Sequence, residues 1–218
     1  MKLKHWVQFK LFHDTTWHGQ FKALRPLLLG PAGVVPVVVD VGANDGQYSS
    51  NSYPFIKRGW RAILIEPDPS TFAKASRLHA SNRQVTALNL ACSDEPGSLP
   101  LILSGEADGG SHSALDSTGS HARAGSAVAN SVMVRVELLE TILDQQKVPL
   151  NFGLLSVDTE GHDHKVIRGL NLSRFRPRVI ITEKYENDAV NLEHLRQHGY
   201  QLQHSLEYDT IWLDTKAT

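Results

Sequence analysis

A glycine-containing turn that follows an apolar segment carries the clearest chemical signal in the sequence. Residues 37–41 are an apolar, β-branched run interrupted only by Asp40, and residues 42–46 read Gly-Ala-Asn-Asp-Gly. Glycine adopts backbone angles that other residues avoid, so this chain can turn sharply and approach a ligand closely. Asparagine also tolerates left-handed dihedral angles better than most residues. We therefore predict a ligand-binding turn from a strand into a helix, with Asp40 near a cationic amine or a water molecule.

An acidic residue at the end of a second predicted strand points to a nucleoside. Glu66 follows the apolar run 61–65 and lies 20 residues after Gly46. In nucleotide-binding α/β folds, a carboxylate at this place accepts hydrogen bonds from ribose hydroxyls. A glycine-rich turn alone would be a weak signal, but the turn and the acid together predict a nucleoside site.

The residues of the turn favour a nucleoside that carries no phosphate. A dinucleotide pyrophosphate binds at a helix N-terminus, usually through Gly-x-Gly-x-x-Gly. Gln47 occupies the third glycine position here, and the carboxylate of Asp45 would repel phosphate. S-adenosylmethionine has a sulfonium, an amine and a ribose but no phosphate, and it fits best. We expect Asp40 and the turn at its methionine end, Glu66 at its ribose and residues 89–92 beside its adenine.

Strand and helix patterns alternate along the chain. Strand-type runs lie at residues 37–41, 61–65, 85–90, 152–157 and 179–182, and helical patterns lie at 49–58, 70–80, 138–146, 164–170 and 189–198. This alternation predicts a parallel sheet with helices on both faces. Two further runs, at 200–204 and 208–213, predict an antiparallel hairpin at the sheet edge. Ligands of such sheets bind beyond the carboxyl ends of the strands.

Carboxylates at the ends of the fourth and fifth predicted strands are candidates for catalysis. Asp158 follows the fourth strand, with His162 close behind it, and Glu183 follows the fifth. In the favoured alternative, Asp158, His162 or Glu183 acts as a general base without a metal. In the second, Asp158 and Glu183 hold a divalent cation that acidifies a substrate hydroxyl. In a third, the segment after Asp158 only starts a helix.

Two segments stand outside this pattern. Residues 1–36 carry aromatic and aliphatic side chains at helical spacing, with a break near Gly19. They predict a helical extension that packs on the domain edge, caps a substrate pocket or pairs two copies of the chain in a homodimer. Residues 104–131 are rich in Ser and Gly and predict a flexible loop, either a substrate lid or a neutral insertion. Residues 37–218 then form the catalytic domain.

The composition excludes several classes of protein. The 218 residues, 41% of them hydrophobic, suit one domain, and the net charge of −1 argues against a nucleic-acid partner. The single cysteine, Cys92, excludes a disulfide framework and a Cys-rich zinc site. No apolar run approaches the roughly 20 residues of a membrane span, and the N-terminus lacks a signal-peptide core. We therefore expect a cytoplasmic protein with no membrane partner and a small-molecule substrate.

Several segments together resemble the FkbM family of S-adenosylmethionine-dependent methyltransferases. The resemblance rests on residues 39–46, 65–69, 89–94, 156–162 and 166–169 and covers residues 37–213. It implies a class I methyltransferase fold, which is a Rossmann-like three-layer α/β sandwich with a mostly parallel seven-stranded sheet whose last strand is antiparallel. It also implies methyl transfer to a hydroxyl oxygen of a sugar or another small natural product.

The expected cofactor-binding residues follow from the strand ends and from this resemblance. They are Asp40, Gly42, Ala43, Asn44, Gly46, Glu66, Pro67, Asn89, Ala91, Cys92 and Asp158. Methylation of a nitrogen or of a macromolecule stays open because a fold does not set its reaction. The Asp/Asn-Pro-Pro-Tyr/Phe motif of many enzymes that methylate exocyclic amines is missing. An NAD(P)-binding oxidoreductase is a less favoured alternative.

Overall fold

The larger of two β-sheets forms the centre of the molecule. The computed structural model of the protein describes residues 13–103, 113–115, 131–184 and 188–216. The strands of the larger sheet are β1 (Val35–Val41), β2 (Arg61–Ile65), β3 (Val85–Leu88), β8 (Phe152–Val157), β9 (Val179–Glu183), β10 (Tyr200–Ser205) and β11 (Asp209–Asp214). Their order is β10-β11-β9-β8-β1-β2-β3, and β11 runs antiparallel to both of its neighbours. The expected seven-stranded, mostly parallel sheet is confirmed.

Helices cover both faces of this sheet. They are α1 (Gln20–Leu28), α2 (Tyr53–Ile56), α3 (Pro69–Leu78), α4 (Leu139–Gln145), α5 (Asp163–Arg168) and α6 (Asp188–Gln197). Alternate residues of β1 face opposite layers: Val39 packs in the cluster that contains residues of α4 and α5, whereas Val38 packs with residues of α1 and α2. A strand buried on both faces needs apolar residues at consecutive positions, as residues 37–39 provide.

The predicted helix over residues 49–58 is shortened to the single turn of α2. The Ser50 hydroxyl accepts hydrogen bonds from the backbone N–H groups of Ser52 and Tyr53, at 3.2 and 3.0 Å. Serine side chains that bond to nearby backbone groups compete with helix formation, and here they hold residues 49–52 in a turn.

A second, four-stranded sheet was not predicted. Its strands β4 (Ala91–Ser93), β5 (Gly97–Ile102), β6 (Ala114–Leu115) and β7 (Ser131–Leu138) lie in the order β4-β7-β5-β6. Leu101, Val134 and Val136 form its small apolar core together with Ala91. The expected loop over 104–131 therefore contributes strand β6 and the first residue of β7, and apart from residue 113 the rest of that prediction falls on residues outside those described.

The N-terminal extension is described from residue 13 onward. Gly19, with a φ angle of 86°, precedes α1, so the predicted break near this glycine marks the start of the helix. Phe21, Leu24 and Leu28 bury the apolar face of α1 in the core. The aromatic residues expected earlier in the stripe, up to residue 12, lie outside the described part. No helix in the part of the chain that the structure describes has the length and apolar character needed to cross a membrane.

Candidate active site

A cavity of about 440 Å³ opens beyond the carboxyl ends of strands β1, β2, β8 and β9. This is the edge at which ligands of open parallel sheets bind, and the volume lies within the range of about 300 to 1,000 Å³ of small-molecule pockets. The predicted site residues that line it are Asp40, Gly42, Ala43, Asn44, Glu66, Pro67, Ala91, Cys92, Asp158 and Glu183. The structure thus brings most of the predicted residues to one place.

Gly42 lets the first and fourth parallel strands approach each other where the cavity begins. Its φ angle is +83°, and a Cβ atom added here would lie 1.7 Å from the backbone oxygen of Asp158. The Asp158 N–H donates to Val41 O at 2.9 Å, and the Gly42 N–H donates to Ile65 O at 2.9 Å. The glycine requirement at this position is therefore steric as well as conformational.

Glu66 joins the second strand to the glycine-containing turn. Its Oε2 atom accepts from the Asn44 N–H at 2.9 Å, and its Oε1 atom accepts from the Asp68 N–H at 2.8 Å. Burial raises the pKa of Glu66 to about 7, although both backbone hydrogen bonds lower it. Each carboxylate oxygen can accept a second hydrogen bond, so Glu66 can bind a diol while it holds the turn.

The side chains of Asp45 and Asn89 hydrogen-bond to the protein backbone and do not line the cavity. Asp45 Oδ1 accepts from the N–H groups of Gln47 and Tyr48, at 2.9 and 2.7 Å, and so closes the turn. The expectation that its carboxylate repels phosphate finds no support in this geometry, because the side chain is not part of the cavity wall. The Asn89 amide donates to Glu66 O and Pro67 O and fixes the end of β2 from outside the cavity.

A polar network beneath Asp40 was missed by the sequence reasoning. The Ser52 hydroxyl donates to Asp40 Oδ2 at 2.5 Å, and Ser50 Oγ lies 3.0 Å from Ser52 Oγ. On the other side, the Asn51 Nδ2 group donates to Ser156 Oγ at 3.2 Å. Burial raises the pKa of Asp40, while hydrogen bonds from Ser52 and Ser156 lower it. The Ser-Ser-Asn-Ser run at 49–52 was the available signal, but a helical pattern was predicted there.

Asp158 and Glu183 form an acidic pair in the cavity. The pKa of Asp158 is raised well above its ordinary value, first by loss of solvation and then by the negative charge of Glu183. The Asp163 carboxylate fixes the backbone around both: Oδ1 accepts from the Thr159 N–H at 2.9 Å and Oδ2 from the Glu183 N–H at 3.0 Å. A carboxyl group with a raised pKa is a suitable general base near neutral pH.

Gly46 and His162 do not line the cavity. The carbonyl oxygen of Gly46 lies 3.1 Å from Nε2 of His79, which packs behind the turn. His162 is buried, with Nε2 lying 2.9 Å from Ser93 Oγ. Burial lowers its pKa to about 4. The structure thus gives both residues contacts within the protein, behind residues that line the cavity: the Gly46 N–H also donates to Ala43 O at 3.0 Å.

Aromatic residues surround the mouth of the cavity. Trp17 and Tyr48 are 51% and 52% exposed, and their ring centroids lie 5.6 Å apart. The His18 and Tyr208 rings, which also line the cavity, meet edge to face with their centroids 4.5 Å apart. Trp17 and His18 come from the N-terminal extension, so residues before the first strand contribute to the cavity wall. Sequence reasoning had left a pocket cap as one role of this extension.

The wall beside strand β4 is apolar. Ala91, Cys92, Leu101 and Ile65 line it, and burial raises the pKa of the Cys92 thiol, which keeps it uncharged. An apolar surface of this kind suits an adenine ring.

In residues 13–103, 113–115, 131–184 and 188–216, no three His, Cys, Asp or Glu side chains are grouped so that they could hold a metal ion.

The strand order and the position of the cavity define a class I methyltransferase fold. The Methyltransferase FkbM domain matches residues 40–202, and the chain belongs to this family. No curated protein matches the chain. The family resemblance noted in the sequence is thus confirmed.

Solved structures share the fold at low sequence identity. The methyltransferase FkbM from Methylobacillus flagellatus KT is 14% identical with a TM-score of 0.53, and the match covers 93% of this chain and 50% of that one. A precorrin-6y C5,15-methyltransferase from Geobacter metallireducens GS-15 is 13% identical with a TM-score of 0.51, covering 90% and 86%. The METTL16 MTase domain is 11% identical with a TM-score of 0.54, covering 96% and 77%. This chain thus spans half the length of the FkbM protein.

Proposed function

We propose that the chain binds S-adenosylmethionine in the cavity and transfers its methyl group to a hydroxyl oxygen of a small-molecule acceptor. The single observation that carries this proposal is the position of Glu66, which is buried at the end of β2 and hydrogen-bonded to the glycine-containing turn. The carboxylate retains acceptor capacity for both hydroxyls of a ribose.

The chemistry of the cavity wall fits the rest of this cofactor. The apolar surface formed by Ile65, Ala91 and Cys92 suits adenine, and the acidic groups Asp40 and Asp158 suit a sulfonium and an ammonium group. When bound, the cofactor supplies an already activated methyl group, so the protein contributes alignment and proton removal rather than the hard chemical step.

The proton of the acceptor hydroxyl goes to Asp158 in this proposal. Burial raises the pKa of Asp158 and the negative charge of Glu183 raises it further, which brings this pKa closer to the pH at which a general base works best. Glu183 is then a positioning residue that acts through Asp158. The cation-assisted alternative uses the same two carboxylates as ligands for a divalent ion.

The exposed aromatic rings that line the cavity favour a small acceptor with a flat face. Trp17 and Tyr48 present exposed rings beside the cavity mouth, and such rings bind planar or ring-shaped groups by stacking. A small-molecule acceptor also accords with the net charge of −1, which does not favour a phosphate backbone.

A label-transfer screen tests the reaction. Purified protein is mixed with methyl-labelled cofactor and a panel of hydroxylated and amine acceptors, with and without a chelator. Labelled methyl ethers that form equally well with chelator support the proposal. Label that appears only on nitrogen contradicts O-methylation, and label transfer that the chelator abolishes contradicts metal-free base catalysis.

A further inference from the structure

Asn51 lines the cavity and has a buried amide oxygen without a protein partner. The side chain is only 6% exposed and lines the cavity. Its Nδ2 group donates to Ser156 Oγ, but its Oδ1 atom accepts no hydrogen bond from the protein. A buried acceptor left without a donor costs about 1 to 3 kcal/mol, so such an atom in a cavity wall points to a donor on a ligand.

The orientation of this amide follows from the network behind it. Ser156 and Ser52 both hydrogen-bond to Asp40 and lower its pKa, which is the effect of hydroxyl groups that donate to a carboxylate. Since Ser156 has one hydroxyl proton and gives it to Asp40, its oxygen must accept from Asn51 Nδ2. The Asn51 oxygen, rather than its nitrogen, is therefore the atom left without a partner.

The strand order indicates which part of the cofactor reaches Asn51. Glu66 ends β2, and the apolar wall at Ala91 and Cys92 lies beyond it on the β4 side. Asp40 and Ser156 are paired across β1 and β8, on the opposite side of Glu66. A ligand with its ribose at Glu66 and its adenine at the apolar wall must extend its amino-acid end toward Asn51.

We propose that Asn51 is a cofactor-binding residue whose Oδ1 atom accepts a hydrogen bond from the α-ammonium group of the methionine moiety. This inference rests on the proposed function. It adds a residue for which neither the glycine-containing turn nor the acidic strand ends gave a signal. The Asp40 carboxylate behind the network adds electrostatic attraction for the same cation.

A ligand-based double-mutant cycle tests the contact. The probes are S-adenosylhomocysteine and its deaminated analogue, which keeps the adenosine, the thioether and the carboxylate but lacks the amine. Wild-type protein and Asn51→Leu are titrated with each probe by calorimetry. We expect the wild type to bind the amine-bearing probe about tenfold more tightly than the deaminated one, and Asn51→Leu to lose most of that preference.

Gln47→Leu serves as the matched control. It removes an amide from the same turn, but the Gln47 side chain is not part of the cavity wall, so it should keep the wild-type preference for the amine. Thermal melting identifies any variant that does not fold, and the comparison of the two probes on the wild type alone then still tests recognition of the amine. A preference for the amine that is absent in the wild type, or unchanged in folded Asn51→Leu, overturns the inference. Failure of the wild type to bind either probe instead overturns the proposed function.

Discussion

Replacing Gly42 by Ala tests the close approach of strands β1 and β8 that forms the floor of the cavity. An added Cβ atom would lie 1.7 Å from the backbone oxygen of Asp158, whereas ordinary contacts begin at 3.4 Å. The carbonyl group would therefore have to move by about half of an ordinary contact distance in a close-packed interior. Such a movement also displaces the Asp158 side chain from its place in the cavity.

The cost of this substitution has two parts. A φ angle of +83° disfavours any residue with a Cβ atom by about 1 to 2 kcal/mol. Overpacking against backbone adds roughly 1 to 3 kcal/mol. Gly59 separates the two parts, because its φ angle is +80° but nothing lies within 4 Å of its added Cβ atom. Gly59→Ala should therefore cost only the conformational part.

Urea unfolding and calorimetric titration with S-adenosylhomocysteine measure the two effects. We expect Gly42→Ala to lose roughly 3 to 5 kcal/mol of unfolding free energy and its ligand affinity. Gly59→Ala should lose about 1 to 2 kcal/mol and bind normally. If the two variants are equally stable and bind the ligand equally well, the described contact between Gly42 and Asp158 is wrong.

Further predictions concern titration and substrate binding. Because burial raises the pKa of Glu66 to about 7, ionisation of this carboxyl group destabilises the fold as the pH rises. In urea unfolding, the wild type should therefore lose roughly 2 to 3 kcal/mol more unfolding free energy than Glu66→Gln between about pH 5 and pH 8. Burial lowers the pKa of His162 to about 4, so the buried neutral ring destabilises the fold once the pH falls below its ordinary pKa. Between about pH 7 and pH 4, the wild type should lose roughly 3 kcal/mol more unfolding free energy than His162→Gln, and equal losses would contradict the burial of His162 as an uncharged ring. Glu183→Gln removes the charge that raises the pKa of Asp158, so the acidic limb of the rate profile should move to lower pH, while Asp158→Asn should lower turnover by about a hundredfold or more. Trp17→Ala should raise the KM for the acceptor and leave the affinity for S-adenosylhomocysteine unchanged. A change in cofactor affinity alone would show that the Trp17 ring contacts the cofactor and not the acceptor.

The parallel sheet was predictable because its strands are buried on both faces. Such strands need uninterrupted apolar runs, and residues 61–65 and 152–157 were predicted with the bounds that β2 and β8 have. The second sheet was missed because its strands show weaker patterns. In β7, Val132, Val134 and Val136 alternate with polar or exposed residues, a strand signal that lay next to the Ser- and Gly-rich segment and was not recognised.

The site residues that lie at strand ends were predictable from the sequence. The site residues whose positions depend on tertiary contacts were not. Asp40, Glu66 and Glu183 lie at strand ends that a parallel sheet gathers at one edge. Local spacing could not show that His162 turns toward Ser93. Nor could it show that Asn51 lines the cavity, since serine hydroxyl groups bond to the backbone here in place of the predicted helix.

Calorimetric titration of the purified chain with S-adenosylhomocysteine, in parallel with Glu66→Ala, tests the central claim most directly. We predict one-to-one binding to the wild type and at least about a tenfold weaker affinity for the variant, because the ribose loses its carboxylate partner. No detectable binding by the folded wild type at millimolar ligand, or equal affinities for the two proteins, would contradict it.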